Sequence, residues 1–258
     1  MSHTTKKFEE VRNFWNSRGG LGQMAGSRDV IAKEIEIATI AGYVRDGMRV
    51  LEVGCGNGLT AIEFSRRFKI ELTAMDYAEE MIGAARSLAK GVEIKGSLEF
   101  AVGDVQSLAI DRQFDLVYTE RVLINLPDWG AQRLAIDRIT KCLAPGGVYV
   151  MCENSLDGLD GINALRQQVQ LPKIDPPWHN RYFRDSELAG LSIPGVKLEK
   201  IDYYSSTYYF LSRVVNAALA AKQGKEPDYD AEINQLALRL PAFGNFGQGR
   251  IWLWRKAA

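Results

Sequence analysis

The stretch LEVGCGNGLT at residues 51–60 places Gly54, Gly56 and Gly58 at alternate positions directly after an apolar run. Glycine has no side chain, so a ligand can approach its backbone closely. The N–H groups that open a following helix also attract polar and anionic ligand groups. A tight turn without a ligand is the alternative, but a loop between an apolar strand and a helical pattern favours a binding site for a small molecule.

Acidic side chains stand at the ends of the next two apolar runs. Asp76 comes about twenty residues after the glycine loop, the separation at which a carboxylate accepts both hydroxyl groups of a ribose. An aspartate there could equally cap the next helix. Asp104 could accept a hydrogen bond from the exocyclic amine of adenine, and Tyr77 could stack on the base or pack in the core. Together these residues favour a nucleoside ligand.

Two side chains are candidates for removing a proton from a substrate. The chain has two histidines, and His179 lies in the aromatic stretch DPPWHNRYF, which could bind a sugar or a ring or could pack as a surface loop. Glu153, at the end of an apolar run, is the second candidate base, with a solvated or helix-capping carboxylate as the alternative.

The elements that must position these residues alternate between strand and helix patterns. We predict strands at 48–53, 71–75, 98–102, 114–119, 147–153, 196–204 and 249–255, and helices at 58–68, 78–89, 128–143, 206–222 and 230–240. Two further helical patterns precede residue 48. This alternation is typical of a mostly parallel sheet with crossover helices on both faces.

Composition excludes several classes of protein. The 258 residues are 46% hydrophobic and 25% charged, as in one globular domain. Because 32 basic residues balance 32 acidic ones, we expect no nucleic-acid or membrane partner. No apolar run approaches the roughly 18 residues of a membrane span, and no signal peptide is recognisable, which predicts a soluble, cytoplasmic protein. Three cysteines without CxxC spacing predict reduced thiols, and we expect no metal.

Taken together, the motifs resemble the class I S-adenosylmethionine-dependent methyltransferases. The resemblance covers residues 28 to 155 and rests on LEVGCGNG, Asp76, Gly-Asp at 103–104, FDLVYTERVLINL from 114 and LAPGGVYVMCE from 143. The glycine spacing differs from the G-x-G-x-x-G of dinucleotide enzymes. The resemblance implies a Rossmann-like, doubly wound α/β fold. Its mostly parallel seven-stranded sheet would have an antiparallel last strand, with 249–256 as a terminal edge strand and a helical insertion before it.

The resemblance also implies the cofactor and its position. S-adenosylmethionine would be bound and S-adenosylhomocysteine released. Its ribose would lie on Asp76, its adenine near Tyr77, Asp104 and Val105, and its methionine part near Glu120 and Arg121. The implied cofactor-binding residues are Glu52, Gly54, Cys55, Gly56, Asn57, Asp76, Tyr77, Met81, Asp104, Val105, Gln106, Glu120 and Arg121.

We expect one domain over residues 1–258. It would comprise an N-terminal helical cap at 1–45, a cofactor-binding core at 46–155, and acceptor-side or lid elements at 156–190 and 205–245.

The loop GGLGQMAGSRD at 19–29 and the late helices are candidates for a lid, and the late helices could equally form a homodimer interface. The expected function is methyl transfer to a small molecule, such as a hydroxyl of a sugar or secondary metabolite. A non-catalytic cofactor sensor or scaffold and a nicotinamide-dependent oxidoreductase are the alternatives.

Overall fold

The computed structural model describes residues 3–18, 29–108 and 110–258. Its strands are β1 Arg49–Val53, β2 Glu71–Asp76, β3 Ser97–Val102, β4 Phe114–Glu120, β5 Leu143–Asn154, β6 Val196–Asp202 and β7 Gly249–Lys256. Its helices are α1 His3–Asn16, α2 Val30–Ala41, α3 Leu59–Arg67, α4 Glu79–Leu88, α5 Trp129–Lys141, α6 Leu156–Gln168, α7 Asp185–Ala189, α8 Ser206–Phe210, α9 Ala217–Lys222 and α10 Glu232–Gln235. The predicted lid loop, apart from Asp29, lies outside the described residues.

The strands form one seven-stranded sheet in the order β3-β2-β1-β4-β5-β7-β6. Neighbouring strands from β3 through β5 pair in parallel, whereas β7 pairs antiparallel with both β5 and β6. The chain runs outward from β1 to β3 and then returns to β4 on the other side of β1. This reversal creates a crevice at the carboxyl ends of β1 and β4, where open α/β sheets bind their ligands. The predicted fold class is confirmed.

The position of β7 corrects the expectation of a terminal edge strand. β7 lies between β5 and β6, and β6 forms the edge. The four residues from Ile251 to Trp254 are all buried, whereas most residues of β6 are partly or fully exposed. A strand that is apolar on both faces suits the interior of a sheet, and a more polar strand suits its edge.

Successive residues of the central strands point to opposite faces of the sheet, and helices cover both faces. On one face Leu51 belongs to a hydrophobic cluster that includes Ile136 of α5. On the other face Val50 belongs to a cluster that includes Phe64 of α3. The two cores hold the sheet from both sides and fix the edge at which the strands end.

The segment between β6 and β7 is less regular than its pattern predicts. The first predicted helix consists of α8 and α9 joined by a π-helical stretch, Leu211–Asn216. The second is reduced to α10 and a 3₁₀ turn, Leu236–Leu238. None of the helices in the described part of the chain combines the length and apolar character needed to cross a bilayer.

Trp252→Ala tests the interior position of β7. The Trp252 ring is fully buried in the same hydrophobic cluster as Leu51, where it packs against Phe183, so its removal should lower the free energy of unfolding by about 3–5 kcal/mol. Trp178→Ala is the matched control, because Trp178 is 59% exposed and should cost about 0.5 kcal/mol or less. Urea unfolding followed by circular dichroism measures both values. An equal decrease in the free energy of unfolding in the two variants would contradict the interior position of β7.

Candidate active site

A cavity of about 690 Å³ opens where the central strands end. The glycine loop and the ends of β2, β4 and β5 form its floor. Parts of α1, the stretch from 177 to 182 and the segment after α8 form its walls. The volume falls within the roughly 300–1,000 Å³ typical of sites for small molecules.

The glycines of the loop serve two different purposes. A Cβ at Gly54 would lie 2.4 Å from Val122, and one at Gly58 would lie 2.7 Å from Phe100, so the protein's own packing excludes side chains there. A Cβ at Gly56 would meet no atom within 4 Å, but its φ of +52° favours glycine. Gly56 is therefore the position where the backbone faces the open cavity, as the sequence predicts for a ligand contact.

Asp76 is held rigidly at the end of β2. One carboxylate oxygen accepts the N–H of Gly56 at 2.9 Å and the other accepts the N–H of Ala78 at 2.9 Å. Burial raises the pKa of Asp76, and these backbone donors act in the opposite direction. The carboxylate thus supports both the glycine loop and the start of α4, and each oxygen retains a lone pair for a ligand.

The predicted adenine contacts gather beside Asp76. Tyr77, Asp104 and Val105 all line the cavity. Of two other predicted cofactor-binding residues, Met81 lines the cavity and Gln106 does not. Asp104 accepts the N–H of Gln106 at 2.8 Å, which orients its carboxylate. From α1, Trp15 packs against the buried cluster of Ala78 and Met81, and Tyr77 packs against the same cluster. The N-terminal helix therefore covers the end of the cavity that is predicted to hold the adenine.

A cluster of buried charges surrounds the end of β4. Glu120 pairs with Lys33 and accepts a hydrogen bond from Thr60 at 2.9 Å, and Arg121 lies 3.2 Å from Glu36 and 3.8 Å from Glu120. Burial raises the pKa of Glu36, whereas the cations of Lys33 and Arg121 overcome the effect of burial and lower the pKa of Glu120. Of the two neighbouring acids Glu36 and Glu120, Glu120 is therefore the one that is ionised at neutral pH. Sequence reasoning found Glu120 and Arg121 but missed the residues from α2 and α3.

Glu52 and the backbone of Arg121 complete this end of the cavity. Glu52 is 2% exposed, and burial raises its pKa to about 8, with a further contribution from the negative charge of Glu120. Arg121 has a φ of +56°, a left-handed conformation that is uncommon for a residue with a side chain. Its N–H donates to the Cys152 carbonyl at 2.8 Å, which helps hold this conformation.

The structure gives Glu153 a different place from that of the predicted base. Glu153 is fully buried and does not line the cavity. Its carboxylate accepts the backbone N–H groups of Val122, Leu123 and Ile124 at 3.1, 3.0 and 3.3 Å. Burial raises its pKa to about 7 against the effect of these donors. The side chain therefore supports the turn after β4 instead of facing a substrate.

His179, the other predicted base, lines the cavity. Its ring stacks on Phe14 of α1, with ring centres 4.6 Å apart, and meets Trp15 edge-on at 6.0 Å. The neighbouring Asn180 donates to Asn125 at 2.9 Å, and Asn125 also accepts from the Trp15 indole at 3.2 Å. Contacts between α1 and the loop after α6 thus close one wall of the cavity around the imidazole.

Several cavity residues were not among the predicted site residues: Asn154, Tyr182, Tyr209, Arg213, Tyr229 and Gln248. Tyr182 belongs to the aromatic stretch DPPWHNRYF noted in the sequence, whereas Tyr209, Arg213, Tyr229 and Gln248 come from later segments in which the sequence shows no motif. Asn154 is the exception, because it ends β5 and the rule that ligands bind at the carboxyl ends of strands applies to it as well. Among the described residues no cluster of three or more His, Cys, Asp or Glu could hold a metal ion.

Comparisons with known proteins agree with this geometry. A family model described as a methyltransferase domain matches residues 50–147. The ubiquinone biosynthesis O-methyltransferase of Psychrobacter cryohalolentis is 29% identical over 160 residues, which cover 57% of this chain and 61% of that protein. The sterol 24-C-methyltransferase ERG6A of Gibberella zeae is 30% identical over 130 residues, which cover 50% of this chain and 33% of that protein. The chain thus spans less than two thirds of the length of these relatives.

A solved structure supports the fold across nearly the whole chain. It is a complex between the Haloferax volcanii Trm112 methyltransferase activator and a putative methyltransferase. Its TM-score is 0.60 at 18% identity, covering 94% of this chain and 97% of that one.

The reversal in strand order and the glycine loop at the sheet edge define a Rossmann-like, nucleoside-binding α/β domain. Residues 50–147 match the methyltransferase domain family, which confirms the resemblance to the class I S-adenosylmethionine-dependent methyltransferases inferred from the motifs.

Glu52→Gln tests the buried carboxyl group. The unfolded chain releases this proton near pH 4.5, whereas the folded protein retains it up to about pH 8. The folded state therefore holds the extra proton between these values, and Glu52 makes stability fall as the pH rises across that window. Glutamine stays neutral, so the melting temperature of the variant minus that of the wild type should rise from pH 4.5 to about pH 8 and then level off.

Differential scanning calorimetry without ligand measures this difference. Glu99→Gln, which alters an exposed carboxylate on β3, is the control and should show no such slope. A difference for Glu52→Gln that is constant with pH would contradict the raised pKa.

Proposed function

We propose that this protein transfers the methyl group of S-adenosylmethionine to a hydroxyl oxygen of a small molecule and releases S-adenosylhomocysteine. The observation that carries the proposal is that the glycine loop, Asp76 and the His179 imidazole all line one cavity. Donor and acceptor must share about 690 Å³, which favours a small acceptor. The family match supports the reaction class.

The cofactor lies across the glycine loop in this proposal. Its ribose hydroxyls donate to Asp76, and its adenine lies against Tyr77 and Met81. The ammonium group of the methionine part meets the carboxylates of Glu52 and Glu120. An adjacent cation favours the ionised form of a carboxyl group, so binding should lower the pKa of Glu52 from its raised value.

The transfer is an in-line displacement at the methyl carbon. A lone pair of the acceptor oxygen forms the new C–O bond while the C–S bond breaks and its electron pair passes to sulfur, which becomes a neutral thioether. The hydroxyl proton passes to His179, because an alcohol is barely ionised near neutral pH and reacts faster with a base. The positive charge on sulfur disappears during the reaction, so the cover provided by Phe14 and Trp15 favours it by excluding water.

The proposal that oxygen is the acceptor atom rests on the residues of the site as well as on the relatives. The bacterial relative is an O-methyltransferase and the fungal one is a C-methyltransferase, so relatedness alone leaves the atom undecided. A carbon acceptor is apolar at the point of attack. The far end of this cavity instead presents the polar side chains Asn154, Tyr182 and Gln248, together with an imidazole, which favours a hydroxylated acceptor. The cytoplasmic location, the homodimer and the four-part division of the domain stay predictions.

Asp76→Asn tests cofactor binding. The amide replaces one oxygen with a donor and removes the charge, so the affinity for S-adenosylhomocysteine should fall by about 10-fold or more. Isothermal titration calorimetry measures the dissociation constant. Asp115→Asn is the matched control, because Asp115 lies on β4, pairs with Arg49 and does not line the cavity. Absence of any heat with the wild-type protein would count against the proposed function itself.

Methyl transfer is tested with methyl-labelled S-adenosylmethionine and a metabolite extract. Mass spectrometry should find the label on a small hydroxylated molecule, bound through oxygen. His179→Ala should still bind S-adenosylhomocysteine but transfer the label about 10²- to 10⁴-fold more slowly. Label found on RNA or protein alone would refute the small-molecule acceptor. Cofactor binding without transfer to any molecule would support a sensor or scaffold instead.

A further inference from the structure

Beyond the cofactor loop, three polar residues from separate parts of the chain meet in one corner of the cavity. Asn154 ends β5, Tyr182 follows α6 in the chain, and Gln248 directly precedes β7. We call these three residues the amide–tyrosine corner. The comparisons and the family motifs assign no role to any of them.

The corner contains a buried hydrogen-bond acceptor without a partner. Asn154 is 4% exposed and lines the cavity, and its Oδ1 accepts no hydrogen bond within the described residues. A buried polar atom left without a partner destabilises the folded protein. A donor group on a ligand would remove that destabilisation.

The same corner also contains a group that can donate a hydrogen bond to a ligand, the Tyr182 hydroxyl. Gln248 donates to the Tyr182 hydroxyl at 3.3 Å. Burial raises the pKa of Tyr182, while hydrogen bonds from the Asn154 and Gln248 amides act in the opposite direction, as donors do. Tyr182 therefore remains a neutral phenol at physiological pH. A hydroxyl that accepts two hydrogen bonds has its own proton left to donate.

The backbone holds these groups in place. The Gln248 carbonyl accepts the N–H of Ser155 at 2.6 Å, and the Asn154 carbonyl accepts the N–H of Phe183 at 3.0 Å. Asn154 also pairs with Gly249 in the ladder between β5 and β7. These bonds hold the main chain of Asn154, of Gln248 and of the residue after Tyr182 to the sheet, which limits the rearrangement needed to meet a ligand.

We propose that Asn154 and Tyr182 bind an uncharged hydroxyl group of the methyl acceptor, which donates to Asn154 Oδ1 and accepts from the Tyr182 hydroxyl. This inference rests on the proposed function and adds the chemical class of the group recognised. Asn154 and Tyr182 position the acceptor and determine its specificity. The proton of the attacking hydroxyl is removed by His179 and not by these two residues.

Charged groups fit this corner poorly. A carboxylate has no proton to give Asn154 Oδ1, and it would leave that oxygen unpaired. An ammonium group has no lone pair for Tyr182. The positive charges of Arg121 and Arg213 act on the Tyr182 hydroxyl. Each arginine already has a carboxylate counterion, because Asp29 lies 2.7 Å from Arg213 and Glu120 lies 3.8 Å from Arg121, so neither needs an anionic ligand.

The test compares three probes that share one ring: benzyl alcohol, benzylamine and benzoate. The aromatic lining formed by Phe14, Trp15 and Tyr209 accommodates the ring. Ligand-observed NMR titrations of the full chain saturated with S-adenosylhomocysteine measure each dissociation constant. The wild type should bind the alcohol about 10-fold more tightly than either charged probe. Asn154→Ala and Tyr182→Phe should each weaken binding of the alcohol by about 5-fold or more.

Asn154→Asp provides a sharper readout than loss of binding. A carboxylate in place of the amide should reverse the preference, so that benzylamine binds more tightly than benzyl alcohol. Affinity for S-adenosylhomocysteine should stay unchanged in every variant. Asn163→Ala is the matched control, since its buried amide bonds the Ile174 backbone at 2.8 and 2.9 Å and lies outside the cavity. This control should keep the wild-type preference.

Three outcomes would overturn the inference while leaving the proposed function intact. In each, S-adenosylhomocysteine binds normally. In the first, the wild type binds a charged probe as tightly as the alcohol. In the second, it binds none of the three probes. In the third, Asn154→Ala and Asn154→Asp both keep the wild-type preference. Failure to bind S-adenosylhomocysteine at all would instead remove the proposed function on which this inference rests.

Discussion

The cavity depends on buried carboxylates that stand at the ends of parallel strands and hold the backbone of neighbouring loops. Asp76 at the end of β2 bonds the glycine loop that follows β1, and Glu153 near the end of β5 bonds the turn that follows β4. Each carboxylate satisfies N–H groups that no strand or helix could use, in a place where leaving them unpaired would be costly. Strand order therefore determines which loop each acid can reach, and the floor of the site follows from the sheet.

Charge is balanced locally as well as over the whole chain. Lys33, Glu36, Glu120 and Arg121 lie together at the end of β4 with little exposure to water, an arrangement that is costly unless the charges are paired. The cluster joins α2 to the strand end beside the cofactor loop. It leaves the acidic groups of Glu52 and Glu120 at the cavity wall, where the cation of an incoming ligand would complete the pairing.

The sequence predicted the parts of the site that depend on local pattern. The glycine loop, Asp76 and the order of strands and helices up to β5 follow from periodicity and from the position of polar residues at strand ends.

The location of β7 was predicted wrongly. The neighbours of β7 in the sheet depend on the burial of both its faces, and its own pattern does not show which strands lie beside it. The sequence left two roles open for Glu153, because a carboxylate at a strand end can turn towards a ligand or towards the next loop, and the structure turns it towards the loop after β4. Tyr182 and Gln248 meet Asn154 only through tertiary structure.

The insertion of β7 between β5 and β6 has a consequence for how the sheet is assembled. β6 reaches the sheet by pairing with β7, which comes later in the chain. During synthesis on the ribosome, β6 stays unpaired until the helical segment and β7 have been translated. Contacts between distant parts of a chain slow folding and expose unpaired strands in the meantime. The many charged residues of β6 would keep that waiting strand from associating with other chains.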